Sequence, residues 1–289
     1  MGIYKMLPVI DIFDWLHHAW EKPGNQRRMG LILLWIYLAM LTAVELKRLG
    51  FYPVWLPQPP SSHFYSIHLA FTLILGMELL SLIFIIPSSL SKSMGKQFEI
   101  LTLILLRNAF KELASLPEPV QITFENIINV AHIGASAAGA LSVFICLGFY
   151  RRLARRQCFI ESPQMRMHYV LSKKILSLTL FVIFAGMAGQ DIWNFIQTGQ
   201  SQHFFENFYT VLIFADIAMV IIAQRYMPGY HAVFRNSSFV IGTLLMRLSL
   251  SSPPLISPLM GLAAALYVLG VAWATNRFSP NLEMSDSTP

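Results

Sequence analysis

Eight stretches of this chain read as membrane-crossing helices, and this limits the fold more than any other feature. A helix needs about 20 apolar residues to cross the hydrocarbon core. The candidates are Met29–Leu49, Ser66–Ile86, Gln97–Leu116, Asn126–Phe149, Tyr169–Gly189, Phe208–Gln224, Asn236–Leu250 and Leu255–Thr275. Between the seventh and eighth, Ser251-Ser252-Pro253-Pro254 reads as a tight turn outside the core. In lipid only helices and closed barrels satisfy the backbone, and these runs lack the period-two alternation of barrel strands. Composition agrees: 55% of residues are hydrophobic and 12% charged, against about a quarter charged in soluble domains. The expected fold is an all-α polytopic membrane protein. A disordered chain, a collagen, a disulfide scaffold and a soluble nucleic-acid binder are excluded. Neither Cys146 nor Cys158 belongs to a metal-ligand or disulfide pattern.

Lysine and arginine set the orientation. With the N-terminus inside, sixteen of them fall on the inner side and only Lys47 and Arg48 outside. Both termini are therefore expected in the cytoplasm, and the net charge of +6 follows from topology. Residues 1–28 form an expected interfacial segment rather than a signal peptide. Val9, Ile12, Phe13, Leu16 and Trp20 recur at helical spacing, while Asp11, Asp14, His17 and His18 interrupt the apolar run. Residues 151–167 read as a basic cytoplasmic linker. Its Arg151, Arg152, Arg155 and Arg156 serve as a topology anchor, with a binding patch for lipid headgroups or a cytosolic partner as the sharper reading. Residues 278–289 read as a disordered tail.

The spans show an internal echo. Glu78 sits mid-run in the second span and Asp216 in the sixth. Glu99 and Lys111 are twelve apart in the third, as are Arg235 and Arg247 in the seventh. The fourth and eighth are rich in small residues, Gly134–Ala140 and Gly261–Ala265, which permit close helix approach. The chain divides into four-helix units at 29–150 and 168–277. An even number of spans makes the repeat parallel, with a pseudo-two-fold axis along the membrane normal.

These residues resemble the PsiE family, the phosphate-starvation-inducible E proteins, which are small four-helix bacterial membrane proteins. The likeness rests on Gly76-Met-Glu78-Leu-Leu, on Glu99…Lys111, and on Gly229-Tyr-His231-Ala-Val-Phe-Arg235…Arg247. It covers most of both units, as if two PsiE-like units were joined in tandem. The resemblance implies the fold and a bacterial inner membrane. It carries over no molecular mechanism.

Ionisable groups within a bilayer need partners, since each costs roughly 2.5–3.5 kcal/mol at its centre. Counting about 1.5 Å per residue from the inner helix ends puts Glu78 level with Arg107, and Glu45 level with Lys111. Asp216 is expected to meet Arg247, whose long side chain bridges a difference in depth. These six residues form the expected intramembrane charge network. It acts as a register lock or, alternatively, as part of a proton or ion path.

Two histidines on facing helices at one depth would suit a b-type haem. His68 and His132 form an outer candidate pair, and His168 and His231 an inner one. Seats at the membrane interface are the more ordinary reading. No metal-ligand constellation, phosphate loop, dinucleotide fingerprint or nucleophile elbow is present. The sequence thus points to a non-enzymatic membrane protein, an anchor or accessory component of a membrane assembly or stress response. Its partners would be lipids and a membrane or cytosolic protein, with no resident cofactor. The alternatives are an ion or proton conduit at the seam between the units and a b-haem electron-transfer subunit.

Overall fold

The computed structural model describes residues 7–52, 63–88, 90–113, 116, 123–124, 126–154, 163–198, 204–227, 229–250 and 252–278. Among them are nine helices and no strand. They are α1 (Leu7–Glu21), α2 (Pro23–Arg48), α3 (Phe64–Ile85), α4 (Leu90–Leu113), α5 (Ile127–Leu153), α6 (Pro163–Thr198), α7 (Phe204–Tyr226), α8 (Tyr230–Leu250) and α9 (Ile256–Phe278). Helix α1 is the amphipathic segment, and α2 to α9 fall on the eight apolar runs.

Local chemistry sets the helix ends. Pro23 opens α2, where a missing N–H costs nothing. Its other end is a Schellman turn: Phe51 donates to the Leu46 carbonyl at 3.0 Å and Gly50 to that of Lys47 at 3.1 Å. Gly50 has φ +79°, a conformation that a Cβ would penalise. Between α8 and α9, Ile256 donates to the Pro253 carbonyl at 2.9 Å, so the Pro253-Pro254 break is a tight turn as expected.

Six helices are long and apolar enough to cross a membrane: α2, α3, α5, α7, α9 and the Gln164–Asn194 portion of α6. Helices α4 and α8 have 24 and 21 residues, about 36 and 31 Å at 1.5 Å per residue. They reach far enough but are more polar: α4 carries six charged residues, and α8 mixes Arg235 and Arg247 with His231, Asn236, Ser237, Ser238 and Thr243. The reason is visible in the packing. Leu101 and Leu105 of α4, with Phe239 and Met246 of α8, lie in a core closed by α5 and α9. A helix shielded by its neighbours can hold polar groups that lipid would reject. Outward-facing Leu31, Trp35, Phe144, Val182, Phe214, Ile221, Leu259 and Trp273 are exposed. Such an apolar girdle suits acyl chains rather than water.

Two cores share α4. One joins α4, α5, α8 and α9; the other joins Leu75, Leu79 and Leu82 of α3, Ile100 and Ile104 of α4, Leu180 of α6 and Phe208 and Leu212 of α7. Consecutive helices pack in the order α2 to α5 and again α6 to α9, and α5 lies against α9 and α4 against α8. At the α5–α9 crossing a Cβ on Gly139 would lie 2.5 Å from Pro258 Cβ. On α8, a Cβ on Gly242 would overlap Val268 of α9. Gly139 of the fourth span and Gly242 of the seventh thus sit where helices meet closely, whereas Gly134 of the fourth has nothing within 4 Å.

Several boundaries lie outside the expected spans: α2 and α8 each start six residues early, and two helices differ most. Helix α6 runs to 36 residues, about 54 Å, because its polar ends continue the helix past the apolar stretch. Helix α4 starts at Leu90, a full seven residues before Gln97, since Ser91–Lys96 stays helical despite its polarity. The N-terminal amphipathic helix docks on α3 and α6. Phe13 is buried, its ring 6.0 Å from that of Phe84 on α3, and Lys174 of α6 holds the Asp14 carboxylate at 2.6 Å.

Candidate functional site

Two polar clusters lie within the bundle at different heights. The first is built where α3 ends and α4 begins. Glu78 lies seven residues before Ile85 at the end of α3, and Lys96 six after Leu90 at the start of α4. The two helices are antiparallel neighbours, so these residues meet, and the Lys96 ammonium contacts the Glu78 carboxylate. It also holds Glu99 Oε2 at 2.9 Å. Glu99 in turn pairs with Arg151 in the last turn of α5. A relay Glu78–Lys96–Glu99–Arg151 results. Beside it opens a cleft of about 440 Å³ lined by Ser81, Ile85, Ser91, Lys92, Gly95, Lys96, Glu99, Tyr150, Arg151 and Ala154. The Tyr150 hydroxyl donates to the Ser91 carbonyl at 3.1 Å and fixes one wall.

The expected Glu78–Arg107 pair does not form. A depth count from Gln97 begins too late, because α4 starts about two turns earlier, which brings Lys96 rather than Arg107 level with Glu78. The Arg107 guanidinium instead lies 5.5 Å from the centre of the Phe205 ring. Nor does Glu45 reach Lys111. Helix α2 packs on α1 and α3, not on α4, so Glu45 meets His63 at 2.8 Å just before α3. Lys111 is exposed.

The second cluster does contain an expected pair. Arg247 Nη2 of α8 lies 2.7 Å from Asp216 Oδ2 of α7. The contact is a close ion pair without hydrogen-bond alignment, since neither atom has a hydrogen-bond partner. Arg247 Nη1 donates to the Tyr209 carbonyl at 3.2 Å. Arg247 is 4% exposed and Asp216 is also buried.

Lys173 is 2% exposed, and its ammonium donates to the Ser88 carbonyl at 2.7 Å while facing the Tyr169 ring at 4.7 Å. Ser177 donates to the Ile83 carbonyl at 2.6 Å, so α6 clips the α3 terminus at two points. The sequence assigned Lys173 only to orientation; its neighbour Lys174 gives no hint of which of the two is buried.

The histidines offered as haem candidates have these surroundings. His132 Nδ1 lies 3.6 Å from Glu112 Oε2, His68 is near Arg107 and Lys111, and His168 and His231 are exposed on α6 and α8. An inner axial pair would need both rings buried on facing helices. Of the basic patch, Arg151 and Arg152 close α5, while Arg155 and Arg156 lie outside the described residues. No group of three or more His, Cys, Asp or Glu is placed to hold a metal among the described residues.

The fold and its two charged clusters define a multi-pass helical membrane protein. The chain matches no family model, no curated protein and no solved structure.

Proposed function

We propose that this chain is a non-enzymatic membrane component, an anchor or accessory subunit of a membrane assembly or stress response. Its charges hold helices in register and its basic rim faces the cytoplasm. One observation carries the reading: carboxylates within the bundle are neutralised by neighbouring cations. Arg247 holds Asp216, and Lys96 sits between Glu78 and Glu99. Charges matched in this way fix which helices meet and at what height. The Arg151–Arg152 end of α5 beside the cleft supplies the face for an anionic lipid or partner.

The same reading takes α4 and α8 as crossing helices shielded by their neighbours, making eight spans in two parallel PsiE-like units. Like packs with like across the units, α4 on α8 and α5 on α9, which supports a pseudo-two-fold axis. The bias of basic residues supports cytoplasmic termini, and the PsiE likeness supports a bacterial inner membrane.

A second reading is favoured by the cleft. It reaches Lys96, whose ammonium contacts Glu78, so a proton or ion conduit would run there, within the first unit rather than at the α5–α9 seam. Reconstitution of the full chain into vesicles holding a pH-sensitive dye separates the two. The accessory reading expects no flux above empty vesicles, and loss of stability in Asp216→Asn. Flux that Glu78→Gln abolishes, with thermal stability unchanged, overturns it in favour of the conduit.

A further inference from the structure

In the second polar cluster Asp216 is matched by Arg247, and Arg107 is left without a carboxylate partner among the described residues. His68 precedes Leu75 by two turns on α3 and so shares the face that Leu75 and Leu79 turn to the core. On α4, Ile100, Ile104 and Arg107 follow the i, i+4, i+7 spacing of one face. On α7, Phe205, Tyr209, Leu212 and Asp216 do the same. The three stripes converge on one core, and each carries its polar group near the same end. His68 is four residues from the start of α3, Tyr209 five from the start of α7, and Arg107 six from the end of α4. At 1.5 Å per residue all three lie about 6–9 Å below one rim. Arg247 reaches the same layer through the Tyr209 carbonyl.

Four atoms in this layer are buried without a protein partner: His68 Nδ1, Arg107 Nε, Tyr209 Oη and Arg247 Nε. All four can donate a hydrogen bond. Arg247 is 4% exposed and already holds Asp216. Arg107 has no carboxylate partner among the described residues and faces only the Phe205 ring. Tyr209 lies within electrostatic reach of both guanidinium groups. An unmatched cation ringed by unused donors below a membrane rim is costly unless an anion completes it.

We infer that this layer is a binding site for one small anion, a free inorganic ion or the phosphate of a lipid headgroup, with Arg107 as counter-charge and Tyr209 and His68 as flanking donors. The inference does not depend on the accessory reading or on flux.

The test is thermal unfolding of the full-length, delipidated protein in a nonionic detergent. Sodium bromide, sodium phosphate and sodium gluconate are compared at equal ionic strength, with a separate titration of phosphatidylglycerol. Bromide, phosphate or phosphatidylglycerol is expected to raise the melting temperature saturably above gluconate. Half-saturation should move at least tenfold in Arg107→Gln and severalfold in Tyr209→Phe. In Arg225→Gln, exposed in the last turn of α7 at the opposite end of the bundle, it should hold. A response to phosphatidylglycerol alone identifies the lipid phosphate as the source. A response to bromide or phosphate identifies a free ion. Equal behaviour in gluconate overturns the site, as does a titration indifferent to Arg107→Gln. Should that variant not fold, an unchanged half-saturation in both Tyr209→Phe and His68→Gln overturns it instead.

Discussion

Arg247 and Asp216 meet inside the bundle, Nη2 to Oδ2 at 2.7 Å, with the guanidinium also donating to the Tyr209 carbonyl. One side chain therefore ties α8 to two heights of α7. Removing either charge leaves the other buried and unpaired, which costs about 3–5 kcal/mol. Asp216→Ala and Arg247→Met should each lower the melting temperature sharply in detergent. The double variant Asp216→Leu/Arg247→Met should be at least as stable as either single one, because no lone charge remains. Strict additivity of the two losses would count against the pairing.

The Lys96 bridge predicts a milder result. Glu78 and Glu99 side chains are 28% and 29% exposed, so solvent and headgroups screen them in part. Lys96→Met should cost about 1–2 kcal/mol, since it leaves two carboxylates facing each other. The exchange Glu78→Lys/Lys96→Glu tests direction. It restores the first contact but sets the relocated carboxylate against Glu99, so recovery should be incomplete. Adding Glu99→Gln should improve it. Melting curves for the series, with the Glu99→Gln parent as reference, check the order.

Asp216–Arg247 was legible in the sequence because each residue is a lone charge in its apolar run, so no rival partner existed. Glu78 was not, because α4 offers both Lys96 and Arg107 and only the helix start decides between them. That start lies in Leu90–Lys96, where lysines and serines hide a helix that neighbouring helices shield. The apolar runs themselves were readable at about 20 residues each. Tyr150 and Tyr209 carried no signal, for an aromatic in a membrane helix is ordinary until its hydroxyl is seen to be buried.

The α5–α9 crossing predicts steric sensitivity at one atom. A methyl at Gly139 would press on Pro258 Cβ at 2.5 Å and Cα at 3.1 Å, a proline that cannot rotate away. Gly139→Ala should destabilise by about 1–3 kcal/mol through forced separation of the helices. Gly134→Ala on the same helix meets nothing within 4 Å and should be neutral or slightly stabilising. Comparing the two melting temperatures separates close approach from helix propensity.

Helix α1 predicts a local rather than a global effect. Phe13 is 3% exposed, packed against Phe84 with Trp20 at 6.0 Å from the same ring. Lys174 both binds Asp14 and sits 5.6 Å from the centre of the Phe13 ring. The anchor thus combines one deeply seated aromatic with an ion pair whose Asp14 side is 55% exposed. Truncating a buried Phe costs about 3–5 kcal/mol, whereas an exposed pair contributes about 0.2–1 kcal/mol. The loss in Phe13→Ala falls on the seating of α1, because the contacts of α2 to α9 with one another are untouched. Amide exchange of residues 7–21 should therefore quicken at least tenfold in Phe13→Ala and only slightly in Asp14→Asn, with little change in the melting of the bundle. If exchange in 7–21 is unaffected by Phe13→Ala, α1 is not held by that ring. If the bundle melts with it, α1 is part of the core rather than a latch upon it.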